Sequence, residues 1–352
     1  MVDIVAWNDI KDDYHKGSLL LGNGSSIAVN ACFNYPSLYE KAIELNHLTD
    51  NVQAVFDKFQ VNDFELVLRR LWQAQLVNEA LQLPRGKVEI AYEEVRTALI
   101  ATVRDTHVTY EDAREHLTPI YQFMQEFDYV ISLNYDLIVY WAAMLAIREG
   151  DRPYSFVDGF IFGEFKHDWK ELKEQGNTYL FYPHGNLCLR RDGFSGERKI
   201  QAGSNDNLLD AILDKWVNEN LVPAFVCEGT EENKRDAISS CNYFERVFYE
   251  VLPVIEDRLV IYGWGLGDQD EHIIAQLAKS KIKSVAVAIF GNDLALCGKI
   301  ERKLKDLNLD ELVFFDSTSE GCWNNLSSDD LEKIEKENEA LSEALAKVLG
   351  KS

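Results

Sequence analysis

The chain alternates short apolar runs with long amphipathic stretches. Five to seven of the runs read as strands, at Ser18–Leu21, Tyr129–Leu133, Tyr179–Tyr182, Val222–Val226, Leu259–Tyr262, Val285–Phe290 and Leu312–Phe315. Most are apolar throughout rather than alternating, the pattern of strands covered on both faces in a parallel sheet. Interleaved with helical stretches, they predict an α/β class with a Rossmann-like, mostly parallel sheet.

From Tyr35 to Phe127 the period is helical. Phe64, Val67, Leu68, Leu71 and Trp72 share one helix face, and Val88, Ala91, Val95, Leu99 and Val103 share another. Thr109-Tyr-Glu-Asp112 has the spacing of a capping box and predicts the start of the last helix of this stretch. The expected organisation is a sheet domain over residues 1–34 and 128–320, with a helical insert over 35–127 after the first strand. The insert lies over the sheet edge or forms a second domain. A C-terminal helix is expected over 327–350, where Leu331, Ile334, Asn338, Leu341, Leu345 and Val348 fall on spacings of three and four. That is a seam with one polar position, suited to docking on its own core or to contact with another chain.

Composition narrows the class. Hydrophobic residues make up 46% of the 352, enough for a packed core. The formal charge of −23 opposes broad binding to nucleic-acid backbones and suits a solubilising surface. It leaves room for a small anion held locally at a helix start. No two of Cys32, Cys188, Cys227, Cys241, Cys297 and Cys322 form a C-x-x-C pair, so no structural zinc or dithiol redox motif is signalled. The N-terminus lacks the basic and apolar regions of a signal peptide, and no run approaches the roughly 18 apolar residues of a membrane span. A cytoplasmic protein with free thiols is the simplest expectation.

Four polar or glycine-rich loops come directly after strand-like runs. The first, Gly22-Asn-Gly-Ser-Ser26, has glycines that allow close backbone approach to a ligand and serines able to cap the next helix, whose start attracts a phosphate. The second, Asn134-Tyr-Asp136, offers an amide for ribose hydroxyls or a water and a carboxylate for developing positive charge. The third, Pro183-His184-Gly185, offers a base near neutral pH with room beside it. The fourth runs Gly263-Trp-Gly265-Leu-Gly267-Asp-Gln-Asp270-Glu-His272, where Asp268 or Asp270 can cap a helix or take a ribose hydroxyl. Each loop alone is equally readable as a turn. In a parallel sheet, however, loops at the ends of successive strands gather at one edge, where open α/β sheets bind ligands.

In this order, Gly22-Asn-Gly-Ser-Ser, Leu133-Asn-Tyr-Asp, Pro183-His-Gly and the fourth loop with Asp270 and His272 resemble the sirtuin-like NAD-hydrolase domains of bacterial anti-phage defence proteins. Pro223-Ala-Phe-Val-Cys-Glu-Gly-Thr230, with Lys234, Ile238 and Tyr243-Phe244, fits the same family. The likeness runs from about Ser18 to Phe315. It implies NAD as substrate across the strand ends and no metal. Gly22, Asn23, Gly24 and Ser25 would face the pyrophosphate, and Asn134 and Asp136 the nicotinamide ribose, with Ser26 and Tyr135 also binding the cofactor. His184, beside Gly185, would take the proton, and Gly263, Gly265, Asp270 and His272 would lie near the adenosine half. Two features depart from related patterns. The paired C-x-x-C motifs of protein-deacylating sirtuins are absent, and Gly263-Trp-Gly265 stands where members often have Gly-x-Ser.

The function this implies is hydrolysis of NAD to ADP-ribose and nicotinamide, as the toxic effector of a defence system. Such an activity needs restraint, so a homo-oligomer awaiting a trigger or an ATPase-type or other defence partner is expected. Two other classes remain: an NAD- or ADP-ribose-binding regulatory or assembly subunit without turnover, and an NAD-dependent deacylase or ADP-ribosyltransferase.

Overall fold

The computed structural model describes residues 3–84, 86–149, 156–166, 168–172, 177–192, 196–200, 208–218, 222–225 and 231–328. Its strands, in chain order, are β1 (Ile4–Val5), β2 (Ser18–Leu21), β3 (Tyr129–Ser132), β4 (Phe156–Val157), β5 (Phe160–Ile161), β6 (Glu164–Phe165), β7 (Thr178–Phe181), β8 (Gly185–Asp192), β9 (Gly196–Lys199), β10 (Val222–Phe225), β11 (Glu256–Tyr262), β12 (Lys281–Ile289) and β13 (Glu311–Asp316). Eight form one sheet in the order β1-β13-β12-β11-β2-β3-β7-β4. Every pairing in it is parallel. Leu19 of β2 lies between Val260 of β11 and Val130 of β3, and all three side chains are buried. The central strands are apolar at every position because both of their faces are covered.

The chain leaves β2 toward β3 and β7 on one side, and leaves β11 toward β12 and β13 on the other. The crevice between the C-terminal ends of β2 and β11 is therefore the switch point of the sheet, the place where open α/β folds bind ligands.

Six of the seven predicted runs belong to this sheet. The seventh, at Val222, does not: β10 pairs antiparallel with β8 in a second sheet of order β10-β8-β9-β6-β5. Its apolar character has a different cause. Phe225 is buried between the rings of Tyr135 (5.1 Å) and Trp216 (6.4 Å), so a buried antiparallel strand reads like a parallel one. The two-residue β1 precedes the first predicted strand, so the helical insert comes after β2.

Between β2 and β3 run helices Leu38–Glu44, Asp50–Phe59, Phe64–Ala80, Gly86–Thr106 and Tyr110–Gln125. Thr109 caps the last of them, its Oγ1 accepting from the Asp112 amide at 3.1 Å, as the capping-box spacing requires. One continuous buried cluster joins Phe56, Phe64, Leu68 and Leu99 of the insert to Leu19, Ile131 and Val260 of the sheet. A buried ion pair, Glu65 with Arg191 of β8 at 3.3 Å, ties the insert to the second sheet. The C-terminal seam from Leu331 to Val348 lies outside the described residues. Among those described, no helix is long and apolar enough to cross a membrane.

Candidate functional site

Residues from all four strand-end loops line one cleft of about 540 Å³ at the switch point. Gly22, Asn23, Phe33, Asn134, Tyr135, Asp136, His184, Gly263, Trp264, Gly265 and Asp270 form its walls, and the insert adds Tyr35, Pro36 and Ser37. The volume lies within the range of small-molecule sites. Gly24, Ser25, Ser26, Gly185 and His272 do not line it.

The first and fourth loops are packed backbone to backbone. Gly24 N donates to Gly263 O at 2.7 Å, and Gly22 N donates to Tyr262 O at 3.0 Å. A side chain at Gly22 would meet Trp264 Cα at 2.6 Å, and one at Gly24 would meet Gly263 Cα at 2.8 Å. These glycines admit the neighbouring loop, whereas sequence alone suggests that they admit a ligand. The serines also differ from expectation. The helix Asn23–Val29 starts with Gly22 as its cap, and Ser25 Oγ donates back to Gly22 O at 2.8 Å. Ser25 N is bonded to Gly22 O at 2.9 Å, so the amides of Gly24 and Ser25 both have backbone partners. Trp323 pins the loop from behind, its indole N–H donating to Ser25 O at 2.8 Å.

Asn134 bridges strands β3 and β2 through the same loop. Its Nδ2 lies 3.1 Å from Gly22 O, 2.9 Å from Ser25 Oγ and 2.8 Å from Ser26 Oγ. A carbonyl can only accept, so the Gly22 contact fixes which end of the amide faces the loop and leaves Oδ1 as its remaining group. Asp136 Oδ2 accepts from Ser26 Oγ at 2.5 Å, and Oδ1 accepts from Ile138 N at 2.9 Å. The next amide, Leu137 N, donates to His107 Nε2 at 3.0 Å. Burial holds His107 below the usual histidine range, as a neutral acceptor requires.

His184 sits on the turn from β7 into β8 and is 3% exposed. The room expected beside it is filled: Gly185 has φ +79°, and a side chain there would strike Ala224 O and Phe225 Cα. His184 Nε2 instead meets His272 Nε2 at 2.9 Å. Beside the pair, Asp270 Oδ1 accepts from Lys234 Nζ at 2.7 Å and Oδ2 from Trp264 Nε1 at 3.1 Å. Burial first, then the Lys234 ammonium, holds His184 well below the usual histidine range, with Asp270 pulling the other way. Burial likewise brings His272 down to about 4 against the pull of Asp270. Burial alone would raise Asp270, but the Lys234 ammonium, with the hydrogen bonds from Lys234 and Trp264, outweighs it and keeps the carboxylate below its ordinary value. At neutral pH the cluster is two neutral imidazoles beside one ion pair.

The ligand atoms of His184, Asp270 and His272 lie within 4.8 Å of one another, a spacing a metal ion can bridge. Both Asp270 oxygens are already taken, however, and a metal would have to sit beside the Lys234 ammonium. The donor set suits a proton better than a second cation.

Residues 19–323 match the model of a family described as a domain of unknown function (DUF4917). The chain belongs to that family. The matched span opens in β2 and closes at Trp323, which holds Ser25, so it contains every residue of the cleft. No curated protein matches the sequence.

Several residues of this DUF4917 site carry no local signal. Trp264, which departs from the related pattern, is a buried wall of the cleft and a donor to Asp270. Asp270 does stand at the cap position of the helix Glu271–Leu277, but its side chain caps nothing and turns to Lys234. Lys299 lines the cleft and donates to Gly265 O at 3.0 Å, and Tyr35 from the insert bonds its hydroxyl to that of Tyr135. Asp270 and His272, assigned by resemblance to the adenosine half of NAD, lie in one cluster with His184.

Proposed function

We propose that this protein hydrolyses the nicotinamide–ribose bond of NAD, releasing nicotinamide and ADP-ribose. The observation that carries the reading is a neutral, buried His184 lining the same switch-point cleft as Asn134 and Asp136. The ordered likeness of the four loops to sirtuin-like NAD hydrolases supports NAD as the nucleotide. As the bond from C1′ to the pyridinium nitrogen breaks, its electron pair passes to nicotinamide and positive charge grows on the ribose. The Asp136 carboxylate stabilises that charge. Asn134 Oδ1, the free end of the amide, accepts from the attacking water or a ribose hydroxyl. His184 takes the proton of the water as its oxygen bonds to C1′. Lys299, which also lines the cleft, is a cation available to the pyrophosphate.

The test is direct. Purified protein incubated with NAD is expected to release nicotinamide and free ADP-ribose in equal amounts. NAD binding without nicotinamide release would instead support a sensing or assembly subunit, and modified protein product would support transfer or deacylation. Either result overturns hydrolysis.

The electrostatics add a pH prediction. A depressed His184 stays unprotonated below the ordinary histidine value of about 6.5, so kcat/KM should hold level through mildly acidic pH before it falls. Lys234→Met removes the ammonium that holds His184 down and leaves Asp270, which pulls it up, without its partner. Both changes raise the His184 pKa, so the acid limb should move to higher pH. An unmoved limb, or one shifted downward, means that His184 is not the titrating base.

A further inference from the structure

A second cavity, of about 310 Å³, lies against the edge strand β4 and shares no lining residue with the switch-point cleft. Its apolar walls are Ala143, Met144 and Ile147 of the helix Ile138–Glu149, Phe156 and Val157 of β4, and Leu180 of β7. Tyr140, Asp158 and Lys199 break this lining with polar atoms. Lys199 Nζ donates to Asp158 Oδ2 and lies 5.5 Å from the centre of the Tyr140 ring and 5.8 Å from that of Phe160. The other carboxylate oxygen accepts from Phe160 N at 3.0 Å. Asp158 is thus bonded at both oxygens, whereas an ammonium has three donors and Asp158 takes one. Tyr140 is only 8% exposed, and its hydroxyl has no hydrogen bond among the described residues. Burial pushes this phenol up, so it keeps its proton and can donate. A polar group buried without a partner asks for an explanation, and a ligand supplies one.

We propose that this cavity binds a small uncharged molecule with an aromatic body and one carbonyl oxygen, the chemistry of an aromatic amide. Apolar walls with a few convergent polar groups are the make-up of small-molecule sites, and the volume is at the lower end of their range. The body displaces water from Met144, Ile147 and Leu180 and packs against the rings of Tyr140 and Phe160. The carbonyl accepts from the Tyr140 hydroxyl and from a remaining N–H of Lys199. The Lys199–Asp158 pair has no net charge, so an anion would be set against the carboxylate and a cation against the ammonium. The cavity also shares its frame with the cleft. The helix that lines it begins at Ile138, whose amide donates to Asp136 at 2.9 Å, and Leu180 precedes His184 on the β7 segment. Occupancy is therefore expected to change kcat for NAD, a consequence that rests on the reading of the cleft given above.

The probe is acetanilide, an uncharged aromatic amide, titrated into the full chain by calorimetry, with phenylacetate as an anionic counterpart. Saturable binding of acetanilide, tighter than that of phenylacetate and not displaced by ADP-ribose, is expected. Met144→Trp fills the cavity and should abolish it. Tyr140→Phe removes a hydroxyl that the fold does not bond, so it should melt as wild type does and weaken binding by about 2- to 10-fold. No saturable binding, tighter binding of phenylacetate, displacement by ADP-ribose, or unchanged affinity in either variant would overturn the proposal. In turnover, acetanilide should change kcat in wild type and not in Met144→Trp. Unchanged turnover with acetanilide bound strikes the link to the cleft and leaves the site standing. A wild-type protein that releases no nicotinamide sinks the reading of the cleft instead, and calorimetry still decides the cavity.

Discussion

Replacing His184 with Ala is expected to lower nicotinamide release by about 10²- to 10⁴-fold, the usual contribution of a positioned general base. The KM for NAD should change little, because a base acting on water contributes in the transition state rather than to ground-state binding. The site gives His184 no other evident task. It is buried, it is held neutral by burial and by Lys234, and it contacts His272 and the Leu133 backbone. Removing it leaves His272 Nε2 without a partner, so thermal melts should accompany the kinetics to show that the fold survives. Residual turnover within a few fold of wild type, in a protein that melts normally, would remove His184 from the chemistry.

Gly263→Val is expected to abolish turnover by a different route, through loss of the fold around the cleft. Gly263 has φ +70°, where a β-branched residue is strained by roughly 1–3 kcal/mol. A side chain there would also collide with Ser25 N and lie 2.7 Å from Gly24 C. These obstacles are backbone atoms of the first loop, which cannot rotate away as a flexible side chain would. Overpacking adds roughly 1–3 kcal/mol, and the sum is a large share of the roughly 5–15 kcal/mol that holds a typical domain folded. The measurement is a melt alongside an NAD assay, and a large fall in Tm is expected. Gly265→Val is the informative contrast. A Cβ at Gly265 meets nothing within 4 Å, and the residue lines the cleft. That variant should fold and melt normally yet bind NAD with a raised KM, because its side chain projects into open space. Similar melting of the two variants would mean that contact between the loops does not hold the site together.

Much of the site is legible as strand-end placement. The runs ending at Leu21, Ser132, Phe181 and Tyr262 are apolar because they lie in or near the covered centre of the sheet, and the loop after each must emerge at the same edge. The purpose of each residue is less legible. Gly22, Gly24 and Gly185 read as space left for a ligand, but a glycine required by a neighbouring backbone looks the same in sequence. Ser25 and Ser26 read as helix caps and instead bond Gly22 and Asp136. β8 escaped the pattern because polar and charged residues interrupt its apolar positions, β9 has no apolar side chain, and the paired two-residue strands are too short to show a period.

By itself the sequence determined the class of fold, the helical insert and the edge at which polar loops collect, because these depend on which faces of each element must be covered, and that pattern is local. Only the tertiary structure decided how the loops meet. Asn134 reaches Ser26 across 108 positions of chain, and His184 reaches His272 across 88. It also decided that β10 leaves the parallel sheet, that Trp264 donates to Asp270, and that Asp270 pairs with Lys234 rather than capping a helix. Each of these depends on backbone closure between distant segments, which fixes hydrogen-bond partners within a few tenths of an ångström and has no counterpart in residue spacing. The four loops were recognisable one by one. The contact between His184 and His272 became visible only when the fold set their two loops against each other.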